Sequence, residues 1–212
     1  MRRYDLLLLS AFALLLPVIA RAADAPKAQG AGIVSGTITI DGKPTADVVV
    51  SIEGLPPQKP KGEGAGPYYK RATMGQRDLK FYPYVLPILV GATVNFVNDD
   101  KVWHSVYSTS EAKKFDLGLY APGKSKSVTF DKPGVVRVLC NVHPTMEAYI
   151  VVKEHPYFIS ADSQGNYRFS DVLLGAHRLT VWHPALGTRA EPFTLDRPDE
   201  VLRVDIDLKK AK

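Results

Sequence analysis

The chain has 212 residues, with 16 Gly, 16 Pro, one Cys and a formal net charge of +5. Gly and Pro at that density argue against long helices, and 45% apolar with 23% charged residues fits a folded globular protein rather than a disordered chain or a membrane bundle. The single cysteine, Cys140, excludes an intramolecular disulfide framework and any metal site built from four cysteines.

Arg2 and Arg3 open the chain, an apolar run covers 6–20, and Ala20-Arg21-Ala22 follows, the layout of a secretory signal peptide with a small-x-small cleavage site. The run contains Ser10 and Pro17 and is shorter than the roughly 20 residues of a spanning helix. No cysteine lies near the cut to carry a lipid. Residues 1–22 are therefore expected to be removed, leaving a periplasmic protein of 190 residues with net charge +3 and no membrane span. That mild charge lacks a dense Lys/Arg stripe, so nucleic acid is not an expected partner.

After an Ala/Gly-rich linker at 23–32, short alternating segments rich in Val, Ile and Thr take over. A strand at 33–40 meets the turn signal Asp41-Gly42, with 46–53 expected as its hairpin partner. Residues 56–72 are dense in Gly, Pro and Lys and read as a loop; the Gly62–Gly66 stretch lacks the strand-then-helix setting of a phosphate loop. Further strands are expected at 86–90, 93–98, 103–108, 114–119, 126–130, 135–140 and 146–152, with a helical turn conceivable only at 110–114. Asn98-Asp99-Asp100, Ala121-Pro122-Gly123 and Lys132-Pro133-Gly134 separate them as turns, where the carboxylates of Asp99 and Asp100 are ordinary. Strands at 157–161, 167–169, 178–182 and 202–208 continue the pattern, and 209–212 is a basic, solvated tail. This rhythm means an all-β sandwich architecture.

An exported free thiol is buried, paired between chains or bound to metal. Cys140, His143 and Met146 recur at steps of three. Side chains alternate along a strand, so Val136, Val138 and Cys140 share one face while Arg137 takes the other. Met146, Ala148, Ile150 and Val152 likewise share a face opposite Glu147 and Tyr149. Two neighbouring strands thus send Cys140 and Met146 inward, with His143 in the connection between them. His104, on one face with Val106, is the candidate fourth group. Two imidazoles, a thiolate and a weak thioether make a blue-copper donor set, able to serve both Cu(I) and Cu(II). The plain alternative is a buried cysteine, a solvated loop histidine and a core methionine.

The segment Cys140-Asn141-Val142-His143-Pro144-Thr145-Met146 resembles the Cys-x-x-His-Pro-x-Met ligand loop of amicyanin-type cupredoxins. Phe81-Tyr82-Pro83, the run from Val90 to Asn98, His104, Pro122-Gly123-Lys124-Ser125 and Lys132-Pro133-Gly134 resemble other cupredoxin segments. The resemblance covers about 73–153. It implies a Greek-key β-sandwich holding one copper ion through His104, Cys140, His143 and Met146. Cupredoxins commonly place Asn after the first histidine; here Ser105 stands there and Asn141 follows Cys140, so a Ser105–Asn141 hydrogen bond is expected to tie the two ligand segments.

The segment from Asp162 to Phe169 and the segment from Gly175 to Trp182 are similar to carboxypeptidase regulatory-like domains, small transthyretin-like sandwiches, and Gly42-Lys43-Pro44 looks like the opening turn of one. Residues 33–55 and 154–208 would then form one sandwich with the cupredoxin domain inserted; alternatively, 33–55 extend the cupredoxin and 154–208 stand alone. The combination of modules also resembles exported proteins labelled methylamine utilisation proteins. His155, His177 and His183 lack compact spacing for a second metal, and Trp103 and Trp182 are expected core aromatics. Four protein ligands leave no open position for substrate, and neither a metalloprotease His-Glu pair nor a serine-nucleophile elbow occurs, so an enzyme is not expected. The expected function is one-electron transfer with transient redox protein partners; copper storage, delivery or sensing is the alternative.

Overall fold

The computed structural model describes residues 30–55 and 71–210. The expected signal peptide, most of the linker, nearly all of the loop at 56–72 and residues 211–212 lie outside the described residues. Among the described residues there are only strands and connections, and no helix is long and apolar enough to cross a membrane. The strands in chain order are β1 (Ala31–Ile40), β2 (Lys43–Pro44), β3 (Val49–Glu53), β4 (Arg71–Arg77), β5 (Lys80–Tyr82), β6 (Val85–Leu89), β7 (Thr93–Asn98), β8 (His104–Ser110) and β9 (Lys113–Tyr120). They continue as β10 (Ser125–Thr129), β11 (Gly134–Cys140), β12 (Glu147–Lys153), β13 (Phe158–Ser160), β14 (Asn166–Leu173), β15 (Gly175–His183), β16 (Gly187–Leu195), β17 (Val201–Arg203) and β18 (Ile206–Leu208).

These strands build two sandwiches. In the outer one, β1 lies antiparallel to β14 and parallel to β17 and β18, while the facing sheet runs β13-β3-β15-β16. Strands from 31–53 therefore share both sheets with strands from 158–208. Their core closes around Val34, Ile38, Ile52, Leu179 and Ile206. The inserted sandwich packs β10-β7-β4-β5 against β6-β12-β11-β8-β9, around Met74, Ile88, Phe96, Phe130 and Ile150.

Several elements depart from the sequence expectations. Asp41 and Gly42 do take the positive φ of a tight hairpin turn, at 48° and 77°. The turn, however, pairs β1 with the two-residue β2, and β3 crosses to the other sheet. Four consecutive buried residues at 49–52 suit a central strand covered on both faces better than a hairpin arm. Residues 110–114 make the two-residue β8–β9 connection, Ser110 pairing with Lys113, rather than a helical turn. The strand expected at 202–208 breaks at Val204-Asp205, where the Asp205 carboxylate accepts the Thr37 amide at 2.7 Å. Strands β4, β5 and β16 were absent from the expected set. Gln76 is polar on the inward face of β4, β5 has three residues, and the edge strand β16 carries Pro192 and two charges, so none displays a clean apolar alternation.

The two sandwiches meet where Val49 of the outer one packs with Val85 and Val151 of the inserted one, flanked by Tyr84, Phe158 and Trp182. Beside this seam, Glu53 accepts hydrogen bonds from Lys153 at 2.8 Å and His155 at 2.6 Å. The His155 hydrogen bond first, then the Lys153 bond and charge, outweigh burial and hold the Glu53 carboxyl well below the usual carboxylate range. A carboxyl depressed on folding stabilises above its unfolded pKa and loses that contribution as pH falls through the folded value. The urea midpoint of the parent is therefore expected to decline progressively below about pH 4.3, and Glu53→Gln to flatten that decline. Solvent reaches 38% of the Glu53 side chain, so screening holds the effect to no more than ~1 kcal/mol. An unchanged acid slope in Glu53→Gln would refute the assignment.

Candidate metal centre

Strand β12 is roughly 20 Å long at ~3.3 Å per residue, and the seam lies near its Lys153 end. Three of the four residues singled out in the sequence, His104, Cys140 and His143, gather at the other end, and Met146 follows on the same connection. Cys140 closes β11, paired with Val106 of β8, and is 4% exposed. His104 opens β8 and is fully buried. Pairing of Leu139 with Glu147 closes the β11–β12 hairpin, so residues 140–146 form one connection. Within it the Met146 amide donates to the His143 carbonyl at 3.0 Å, turning Met146 into the core, where it is 1% exposed. His143 stays half-buried in that connection.

The Cys140 sulfur lies 3.8 Å from Nδ1 of His104 and 3.8 Å from Nδ1 of His143, and the two nitrogens are 3.2 Å apart. The point equidistant from these three atoms is about 2.1 Å from each, close to the length of a bond from a first-row metal to imidazole nitrogen or thiolate sulfur. Nε2 of His104 meets the Asp100 carboxylate at 3.2 Å. A carboxylate only accepts, so the imidazole proton sits on Nε2 and Nδ1 keeps its lone pair. Two imidazole nitrogens and a sulfur this close turn their lone pairs toward one point, where they can share a proton or a metal ion. Burial, partly opposed by the Asp100 hydrogen bond, lowers the His104 pKa and favours the neutral ring that a metal requires. The donor set fits copper: a trigonal arrangement of two imidazoles and a thiolate, with a buried thioether on the same connection.

The two ligand segments are tied together. The Asn141 amide N–H donates to the Ser105 carbonyl at 2.9 Å, and Asn141 Nδ2 donates to Ser105 Oγ at 3.4 Å, as the sequence suggested. Asp100 is more than an ordinary turn carboxylate. Besides His104 it accepts the amides of Leu79 at 2.9 Å and Lys101 at 2.8 Å; the Leu79 amide foremost keeps its pKa low. Its spacing of four from His104 was the available sequence signal. Trp103 is also corrected: at 53% exposure it is no core aromatic, because His104 takes the inward position beside it. Val102 and Val142 are exposed with it, each next to a ligand segment. Trp182 belongs to the seam, its ring 5.6 Å from that of Tyr149. Among the described residues, His104, Cys140 and His143 form the sole cluster of three or more potential metal donors.

Residues 70–153 match the family model of copper binding proteins of the plastocyanin/azurin family. No curated protein matches the chain. Among solved structures, the chain is similar to the copper-containing nitrite reductase of Thermus scotoductus, at 32% identity over 40% of this chain and 22% of that one, with a TM-score of 0.38. This chain thus spans about a fifth of the reductase. It is also similar to a purple cupredoxin from Nitrosopumilus maritimus, at 26% identity over 39% and 99% of the two chains, with a TM-score of 0.36. Amicyanin from Paracoccus versutus matches at 22% identity over 39% and 81%, with a TM-score of 0.36. Donor chemistry and family model agree on copper as the metal of this centre.

Proposed function

We propose that His104, Cys140, His143 and Met146 hold one copper ion and that the chain is an exported, periplasmic one-electron carrier of the blue-copper kind rather than an enzyme. The observation that carries this reading is the convergence of two imidazole nitrogens and one thiol sulfur within 3.8 Å at the buried end of a sandwich. Bound copper supplies the one-electron couple between Cu(II) and Cu(I). The chain supplies a fixed set of donors: Cys140 from a strand end, His104 held through Asp100, and Met146 anchored in the core. His143 is the electron port, the one ligand ring that solvent reaches appreciably, and the exposed Val102, Trp103 and Val142 beside the ligand segments suit weak, short-lived docking of redox proteins. The basic start, apolar run and Ala20-Arg21-Ala22 support export.

Loading the purified protein with copper and recording its visible spectrum tests this reading. An intense thiolate-to-copper band, reversible reduction and copper retained in both states are expected; copper lost on reduction would favour a delivery role instead. The mass of protein recovered from periplasm should correspond to removal of residues 1–22. Asp100→Asn takes away the anion behind His104. It is expected to weaken copper binding about tenfold to a hundredfold, and to raise the midpoint potential because Cu(II) loses more stabilisation than Cu(I). Competition titration and voltammetry check both; an unchanged affinity would remove Asp100 from the centre.

A further inference from the structure

We propose that Gln76 and Tyr120 are positioning residues of the metal centre, joined by a buried cross-sheet hydrogen bond that keeps His104 from moving as the centre changes oxidation state. The inference deepens the electron-carrier reading and rests on it. Gln76 lies on β4 and is fully buried; Tyr120 ends β9 in the facing sheet and is 4% exposed. The Tyr120 hydroxyl donates to Gln76 Oε1 at 2.8 Å, so the bond spans the sandwich from sheet to sheet. Tyr120 is also the direct cross-strand partner of His104, which places phenol and imidazole on the same face of adjacent strands.

Asn98, fully buried, completes the frame. Its amide donates to the carbonyl of Tyr120 at 3.2 Å and to that of Val102 at 2.8 Å, holding both the strand beside His104 and the segment that leads into it. The Asp99 amide donates to the carbonyl of Gln76, the cross-strand neighbour of Asn98, at 3.0 Å, tying the start of the same segment to β4.

Stability alone does not account for this pair. Gln76 Nε2 has no hydrogen-bond partner among the described residues. Exchanging the amide's nitrogen and oxygen keeps the phenol bonded but still leaves one end of Gln76 unpaired. Such an orphan costs free energy that leucine and phenylalanine of similar shape would avoid. Packing of apolar side chains tolerates sliding; a hydrogen bond between two buried, directional groups does not. A fixed His104 is what a centre needs if the same geometry is to serve Cu(I) and Cu(II).

The test compares Tyr120→Phe, Gln76→Leu and the double variant with the parent. Electron self-exchange between Cu(I) and Cu(II) protein is read by NMR line broadening, copper hyperfine linewidths by electron paramagnetic resonance, and order of the His104 ring by relaxation in metal-free protein. The double variant, which leaves no orphaned polar group, is expected to melt at or above the parent temperature. It should nonetheless exchange electrons at least tenfold more slowly, with broader hyperfine lines and a more mobile His104 ring. Parental exchange, linewidths and ring order in the double variant would overturn the proposal. Should that variant fail to fold, Tyr120→Phe, which keeps the ring, is read the same three ways. Failure of the carrier reading itself would appear in the parent, as absence of the thiolate band or of self-exchange; the His104 ring in metal-free protein still decides the positioning role.

Discussion

Cys140→Ser is expected to abolish the intense visible band of the copper-loaded protein while leaving the metal-free fold nearly intact. The band requires a thiolate donating charge into copper, and a serine hydroxyl is neither deprotonated nor polarisable enough to replace it. Two imidazoles and a thioether would remain, a donor set that still takes copper but weakly. Serine is slightly smaller than cysteine, and its hydroxyl would face Nδ1 of His104 and of His143, both 3.8 Å from the present sulfur. Those nitrogens can accept its proton, so the cost of a buried hydroxyl, about 1–3 kcal/mol when unpaired, is largely avoided. Absorption spectra with copper and thermal melts without it check the two halves. A band that survives in Cys140→Ser would remove Cys140 from the metal and return it to the role of a buried core residue.

Gly36→Ala should strike the other sandwich. Gly36 faces the backbone just where β17 gives way to β18, and an added Cβ would overlap the Val204 carbonyl and lie 2.9 Å from the Tyr167 hydroxyl. Neither neighbour is free to yield: the Val204 amide donates to Ser35 at 2.8 Å, and the Tyr167 hydroxyl donates to the Val204 carbonyl at 2.5 Å. Overpacking against backbone is expected to cost about 3 kcal/mol, lowering the melting temperature of that sandwich by more than about 10 °C. The two sandwiches have separate cores joined by a small seam. The copper band should therefore be lost at nearly the parental temperature. Trp182 lies on β15 of the outer sandwich and Trp103 in the inserted one, so Trp182 fluorescence in a Trp103→Phe background follows the outer sandwich together with the seam that Trp182 lines. Equal loss of both signals in Gly36→Ala would mean that the seam couples the two into one cooperative unit.

The part of the centre that sequence could reach is the part set by local rules. Alternation along β11 and β12 aimed Cys140 and Met146 inward because a strand's two faces are fixed by its pleat. The turn that returns Met146 to the core spans the four residues 143–146, and His143 opens it. His104 came from the same alternation on β8. Asp100 and Trp103 depart from the sequence expectation for one reason: whether a turn residue faces a ligand or solvent depends on what the neighbouring loops bring. Leu79, twenty-one residues upstream, is what holds the Asp100 carboxylate beside His104.

Gln76 and Tyr120 lay beyond reach for a stronger reason. They are 44 residues apart and belong to different sheets, and a polar residue on an inward position weakens the very alternation by which a strand is recognised.

By itself the sequence determined an all-β chain and a candidate donor set for copper, since strand period, turn residues and ligand chemistry are each written within a few positions. Only the tertiary structure decided that 31–53 pairs with 158–208 around the inserted strands, and that a buried amide and phenol brace the strand beside His104. Those are pairings across dozens to more than a hundred residues, chosen by which faces bury each other, and no local periodicity records them.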